Sequence, residues 1–415
     1  MNRFLSLFLL TILLTASCKN RSAQVESAIK TIDVAGAVGK GQIVPLSQIG
    51  ESIEYIPLET KQNTLVDKIS WHSIVYENNK FYIKYNHSLF VFDNSGKFLF
   101  NFNRYGRGPQ EYDHLSDFCI DPDDNIIVRG IERFIMYDKS GNFVKVLADK
   151  NFIPGVVLKK CYPLGKERYL FITDLRRGAD NEFSAIIMDL KSDKITKIKY
   201  PQKEREFVKS LPAMYRYTFY EVTALRSADG ILLINGLDES VLRIDKNLNI
   251  DTLFNFNFGK HHPRDIPGGL FDRGGGSSVV YRYMLPLEST TYIFDQFKLG
   301  SSAHKPREML KGGDNPNNET YTSDISCSLY NKKTGEFIFV DQPEVNQIGF
   351  PDDFEGGPAV WPLYVSTSNQ MVSFINAFSF INYAETHDVS AKFKEIAGRI
   401  KETDNPVLIL VTLKK

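Results

Sequence analysis

Beyond the first fifty residues the chain alternates between apolar runs of strand length and short clusters of Asn, Asp, Gly and Ser, while helical periodicity is scarce. Runs rich in β-branched and aromatic residues that stop at such clusters read as β-strands. The pattern also repeats. Leu89-Phe90-Val91-Phe92-Asp93-Asn94-Ser95-Gly96-Lys97-Phe98 is echoed by Phe134-Ile135-Met136-Tyr137-Asp138-Lys139-Ser140-Gly141-Asn142-Phe143, with Asp93 and Asp138 45 residues apart. That offset is the length of one four-stranded propeller blade. Each copy makes physical sense as a hairpin: an apolar run, a turn whose Asp bonds to the backbone ahead of it, a Gly free to take positive φ, and a returning strand. Looser copies occur at Ile187-Met188-Asp189, Arg243-Ile244-Asp245 and Leu329-Tyr330-Asn331.

Between the hairpins, Lys80–Tyr85, Asn125–Arg129, Arg168–Thr173 and Ile231–Asn235 are expected as inner strands. Tyr281 to Phe297 is expected to supply a further blade beside the five visible hairpins. The fold class predicted is all-β, a six-bladed β-propeller of four-stranded antiparallel blades, with a C-terminal helix and a terminal closing strand. Two segments read as helices: Pro201–Leu211, a charged insertion between blades, and Ser390–Lys401, which places Phe393, Ile396, Ala397 and Ile400 on one face. The apolar run from Pro406 to Leu413 is the candidate closing strand, pairing with Ile53–Leu58 so that neither end of the sheet ring stays open.

The N-terminus carries a different signal. Met1-Asn2-Arg3, an apolar run from Phe4 to Leu14 and small residues before Cys18 form a secretory signal over residues 1–17, too short to remain as a membrane span. Cys18 after those small residues resembles a bacterial lipobox, so lipid on Cys18 is expected to anchor the mature chain. Residues 18–40 then read as the lipidated Cys and a flexible tether, and 41–415 as the propeller. Lys19-Asn20-Arg21-Ser22 lacks an acidic cluster resembling a surface-export signal, which favours the periplasmic side of the outer membrane over the cell surface. Fifty basic residues balance fifty acidic ones, which argues against nucleic acid as a partner. Cys119, Cys161 and Cys327 remain, without CxxC spacing, and read as buried thiols with at most one disulfide.

Four segments carry a family resemblance. They are Pro45-Leu46-Ser47-Gln48-Ile49 leading to Ile53-Glu54-Tyr55-Ile56-Pro57-Leu58-Glu59-Thr60; Gly106-Arg107-Gly108-Pro109-Gln110-Glu111-Tyr112; Asp352-Asp353-Phe354-Glu355-Gly356-Gly357-Pro358 with Trp361-Pro362; and Asp404-Asn405-Pro406-Val407. In this order they resemble the six-bladed β-propeller lipoproteins of Bacteroides and related gut bacteria. The resemblance implies a fold and an address in the cell envelope. Its architecture is similar to NHL-type propellers, which serve as binding scaffolds and sometimes as lyases or lactonases, and fold alone does not choose among those.

Several strings offer candidate chemistry. In Gly106–Tyr112, Arg107 offers a planar fork for a carboxylate or sulfate and Tyr112 a stacking surface for a sugar. The competing and favoured reading is a stiff blade-to-blade crossover in which Arg107 pairs with Glu111. Tyr215, Arg216 and Tyr217 form a second candidate contact patch for a sugar or protein, explained equally well by packing between blades. The carboxylates at Asp352, Asp353 and Glu355 allow a weakly supported structural Ca²⁺, and His261-His262 a weaker metal reading; no metal or other cofactor is expected. No nucleophile elbow or phosphate loop appears. The expectation is therefore a non-catalytic binding or scaffold lipoprotein for a glycan, peptide or envelope partner. Its rival is an enzyme that gathers polar groups from several blades at the central channel. Replacing Cys18 by Ser is expected to abolish incorporation of a labelled fatty acid and to release the protein from the membrane fraction. Protease shaving of intact cells then reports the side, a periplasm-facing protein being protected.

Overall fold

The structure, a computed structural model, describes residues 29–415 apart from 63, 67–68, 70–72, 175–181, 211–221, 228–229, 236–238, 263–279, 283–285 and 311–319. The described chain opens with β1 (Lys30–Asp33), α1 (Val34–Ala37), α2 (Leu46–Ile49) and β2 (Gly50–Pro57). The first blade is β3 (Ile74–Glu77), β4 (Lys80–Tyr85), β5 (Ser88–Asp93) and β6 (Phe98–Phe102). The second is β7 (Asp117–Ile120), β8 (Ile126–Arg129), β9 (Arg133–Tyr137) and β10 (Phe143–Asp149). The third is β11 (Leu158–Gly165), β12 (Arg168–Thr173), β13 (Phe183–Asp189) and β14 (Lys194–Lys199). After α3 (Gln202–Ser210), inside the expected insertion, the fourth blade is β15 (Val222–Ser227), β16 (Gly230–Asn235), β17 (Ser240–Asp245) and β18 (Ile250–Asn257).

In the fifth blade the innermost position is shared by β19 (Tyr281–Arg282) and β20 (Leu287–Glu288), both paired with β21 (Tyr292–Lys298). A separate hairpin of β22 (Arg307–Leu310) and β23 (Thr320–Ser323) precedes β24 (Ile325–Asn331) and β25 (Phe337–Val340). The sixth blade takes β26 (Tyr364–Val365) and β27 (Gln370–Ile375), then α4 (Ala377–Thr386) and α5 (Ala391–Ala397), then β28 (Val407–Leu413). Its strand order is β2-β28-β27-β26, so the chain start supplies the outer strand of the last blade. β2 runs antiparallel to β28 from Gly50↔Leu413 to Pro57↔Val407, the closure expected from the sequence.

Turn chemistry explains the repeat. Asp93 Oδ1 accepts from the amides of Ser95 and Lys97, and Asp138 Oδ1 from those of Ser140 and Asn142. Gly96 and Gly141 then take φ of 84° and 80°. Asp245 repeats the two bonds to Asn247 and Asn249, but Leu248 sits at φ 67° where the first two copies have Gly. All five hairpins join the third and fourth strands of a blade. The sixth blade has no such hairpin because its fourth strand is β2. The sixth blade is consequently not Tyr281–Phe297, which belongs to the blade carrying Asn331, but the C-terminal strands.

The runs expected as inner strands are second strands. Innermost in the six blades are β3, β7, β11, β15, the β19/β20 pieces and β26. A second strand is paired on both edges and covered on both faces, so its apolar run is the more continuous; β16 is buried at every position. α5 lies within the expected C-terminal helix, capped by the Ser390 hydroxyl on the Phe393 amide. α4 is a further helix beyond the two expected; Asn376 caps it through the Ser379 amide. The tether is also shorter than 18–40: β1 pairs in parallel with β18, and Ile32 and Val34 are fully buried.

Six apolar cores lie between successive blades, one per junction around the ring. Aromatic residues dominate several of them, as where Phe102, Tyr112 and Tyr137 meet between the first and second blades, with Phe102 and Tyr137 centroids 5.0 Å apart. The closing junction is also bonded by polar groups. Asn405, 2% exposed, accepts from the Val66 amide and donates its side-chain amide to the carbonyls of Glu59 and Thr64, while its own N–H reaches Thr60 Oγ1. Asn405→Ala leaves two buried backbone groups, the Val66 N–H and the Thr64 carbonyl, without their partner, and is expected to cost about 2–3 kcal/mol in denaturant unfolding.

Candidate functional site

Innermost strands run from the face where blades cross over to the next, down to the face of the first hairpin turns. The axis they enclose holds a cavity of ≈ 130 Å³, lined from all six blades by Val75, Cys119, Tyr162, Leu225, Leu287 and Tyr364 among others. Drug-sized ligands occupy sites of about 300–1,000 Å³.

At the hairpin end of the axis four side chains from three blades meet. Glu77, 4% exposed at the end of β3, accepts from Arg226 Nη1 at 3.0 Å, from Tyr364 Oη at 2.7 Å and from Thr367 Oγ1 at 2.7 Å. Arg226 also lies 3.4 Å from the Ile120 carbonyl of the second blade. Burial raises the Tyr364 pKa well above the tyrosine value, and the Glu77 charge raises it further. Burial works against the Arg226 charge, but Glu77, Tyr364 and Cys119 together outweigh it and the guanidinium pKa stands above its ordinary value. These groups satisfy one another, and the arrangement is a strut across the ring.

The crossover end is charged differently. Asp117 starts β7, Lys160 lies in β11, and Lys84 Nζ donates to the Ser116 carbonyl at 3.0 Å. Burial lowers the Lys84 pKa and Lys160 adds to that, against the opposing pull of Asp117.

The Gly106–Tyr112 string forms the crossover between the first and second blades, the reading favoured from sequence. Its internal bonding differs from expectation. Glu111 Oε2 accepts from the Gly108 amide at 2.8 Å rather than pairing with Arg107, and a Cβ on Gly106 would stand 2.0 Å from that oxygen. The arginine that holds the loop is Arg133, whose guanidinium donates to the carbonyls of Gly108, Pro109 and Glu111. Tyr112 is fully buried, its hydroxyl donating to the His87 carbonyl at 2.5 Å, and burial pushes its pKa up to about 12. It presents no stacking surface. The ring that does is Tyr105, 53% exposed and stacked on His87 with centroids 4.1 Å apart and planes 19° apart. His114 meets His87 edge-on at 5.9 Å, and both His114 and Arg107 are exposed. An aromatic neighbour of the Gly-Arg-Gly turn was visible in the sequence, but nothing there distinguished Tyr105 from Tyr112.

The acidic string is engaged throughout by donors from the protein. Asp352, 5% exposed, accepts from Tyr55 Oη and the amides of Phe354, Glu355 and Gly357. Asp353 takes the amide and hydroxyl of Ser47, and Glu355 the hydroxyl of Ser390. Each carboxylate thus ties down a different element, β2, α2 or α5, and the residues do not fit the Ca²⁺ reading. Trp361 packs on Phe350, centroids 5.6 Å apart. His262 is buried edge-on to Phe258, with Glu239 3.7 Å away. Cys18, Tyr215, Arg216 and Tyr217 lie outside the described residues.

Six blades around a narrow, self-neutralised axis define a six-bladed β-propeller. Residues 29–412 match the model of the family described as "Domain of unknown function (DUF4934)", and the chain belongs to that family. Among solved structures it is similar to a Bacteroides fragilis protein described as exported, at TM-score 0.61 and 16% identity, over 93% of this chain and 100% of that one. It is also similar to a DUF4221 member from Bacteroides vulgatus, at TM-score 0.47 and 11% identity over 88% and 97% of the two chains. A virginiamycin B lyase from Staphylococcus aureus aligns at TM-score 0.37 and 9% identity, over 87% and 99%. No curated protein matches the chain in sequence.

Glu77→Gln leaves Arg226 charged and buried against a neutral amide, and is expected to cost about 3–5 kcal/mol of unfolding free energy. Combining it with Arg226→Met is expected to recover part of that loss, measured as a double-mutant cycle by denaturant titration.

Proposed function

We propose that this is a lipid-anchored envelope protein that binds a glycan, peptide or partner protein on its crossover face and performs no chemistry on it. The observation that carries this reading is the exposed Tyr105 ring stacked on the half-buried His87, with His114 edge-on to His87 and the exposed Arg107 two residues further along the Tyr105 loop. An aromatic face next to a planar cation suits a sugar ring bearing a carboxylate or sulfate, or an acidic peptide. The loop that presents it is held rigid by Arg133, the buried Tyr112 and Glu111, so little ordering entropy opposes binding. The axial cavity, by contrast, is small, and the charges at its hairpin end are spent on each other. An NHL-like scaffold role, which rests on the sequence resemblance, and an outer-membrane address facing the periplasm, which rests on the Cys18 lipobox and the residues Lys19–Ser22 after it, complete the reading.

The rival reading is a propeller lyase, lactonase or hydrolase, and one observation favours it: Asp117 and Lys160 converge at the crossover mouth of the channel beside Lys84. Titration of the soluble domain against a panel of acidic and neutral glycans separates the two. Binding that falls at least tenfold in Tyr105→Ala and Arg107→Ala is the expected result. Turnover of a lactone, ester or glycan that disappears in Asp117→Asn or Lys160→Met establishes the enzyme instead.

A further inference from the structure

We propose that Cys119 and Cys161 form a disulfide that staples the second and third blades together beside the axis when the chain meets a disulfide-bonded oxidant. Successive side chains of a strand point to opposite faces. On β7, Phe118 and Ile120 enter the core between the first and second blades, and Cys119 therefore turns the other way. It packs, half-buried, against the core between the second and third blades, of which Cys161 on β11 is a buried member beside Phe134 and Phe171. Both thiols also border the axial cavity. They also line one further small void between the second and third blades, and burial, with the neighbouring Cys119 thiol, raises the Cys161 pKa. Cys327 is held apart in the fifth blade, where Arg307 Nη2 donates to its sulfur at 3.0 Å, so the three cysteines divide into a pair and a single thiol.

The chemistry is thiol–disulfide exchange. Cys119, the more accessible thiol, attacks the oxidant's disulfide as a thiolate, forming a mixed disulfide and expelling one oxidant thiolate. Cys161 then gives up its proton and attacks the Cys119 sulfur, forming the intramolecular bond and expelling the second thiolate. The two protein protons end on the two released thiols. The oxidant is a protein or small-molecule disulfide of an oxidising compartment, the setting in which structural disulfides persist. The bond closes a chain loop about one blade long, from β7 of the second blade to β11 of the third, and limits the unfolded ensemble.

The test uses the full-length chain, refolded or held native in a buffer of oxidised and reduced glutathione, then trapped with an alkylating agent under denaturing conditions. Peptide mapping without reductant is expected to show a Cys119–Cys161 cross-linked peptide lighter by two hydrogens than the sum of its parts. The cross-link is expected to persist in Cys327→Ser, and the thermal midpoint to drop when a reductant is added. Recovery of Cys119 and Cys161 both fully alkylated, or a cross-link only to Cys327, overturns the proposal. The mapping needs no variant, so it stands even where Cys161→Ser fails to fold.

Discussion

Pairing between β2 and β28 is the contact without which the remaining architecture does not hold. In a propeller each blade buries its faces on its neighbours, so every junction has a partner only if the last blade meets the first. Here the last blade is itself incomplete until the chain start returns to it, and seven register pairs from Gly50↔Leu413 to Pro57↔Val407 complete it. The polar bonds around this seam are correspondingly dense. Asp352, Asp353 and Glu355 fix β2, α2 and α5, and Asn405 gathers the stretch from Glu59 to Val66. Satisfied within the protein, and buried in the case of Asp352 and Asn405, such groups specify one register against its slipped alternatives, because any slip leaves several of them unpaired.

Three of the four strings that carry the family resemblance are this seam. Pro45–Ile49 with Ile53–Thr60, Asp352–Trp361 and Asp404–Val407 all meet in the sixth blade or its junction with the first. The fourth, Gly106–Tyr112, is a crossover clamped by Arg133. The resemblance is thus a record of how the ring is closed and stiffened. That accounts for its success in announcing the fold and its silence about a ligand.

What the sequence made legible follows the range of the interactions involved. The hairpin turns were readable because an Asp, its two amide partners and a positive-φ residue lie within five positions of one another; they blurred only where Leu248 or Asp193 took the glycine's conformation. The closing strand was readable from its unbroken apolar run. The innermost strands were misplaced because polar residues such as Asp117, Lys159, Lys160 and Arg226 interrupt them, whereas second strands such as β12 and β16 carry the more continuous apolar runs. α4 was hidden because its aromatics serve the outside of β2, with Phe380 stacked on Phe393 of α5 at 4.0 Å. Local spacing carries no trace of that contact.

The axis marks the limit of such reading. Glu77, Arg226 and Tyr364 are separated by more than a hundred residues each, and no linear pattern marks any of them, yet they bond to one another at the axis. A ring that brings one residue per blade to its centre builds its polar chemistry from positions unrelated in sequence. In this chain the hairpin end of the centre is filled by partners that neutralise one another, which holds the blades at fixed spacing. Rigidity there has a consequence at the opposite face. The crossover loops hang from the other ends of the blades that the strut joins, and there Tyr105 rests on His87 in a loop bonded by Arg133. On the binding reading proposed above, a ligand meets that surface without movement of the blades beneath it.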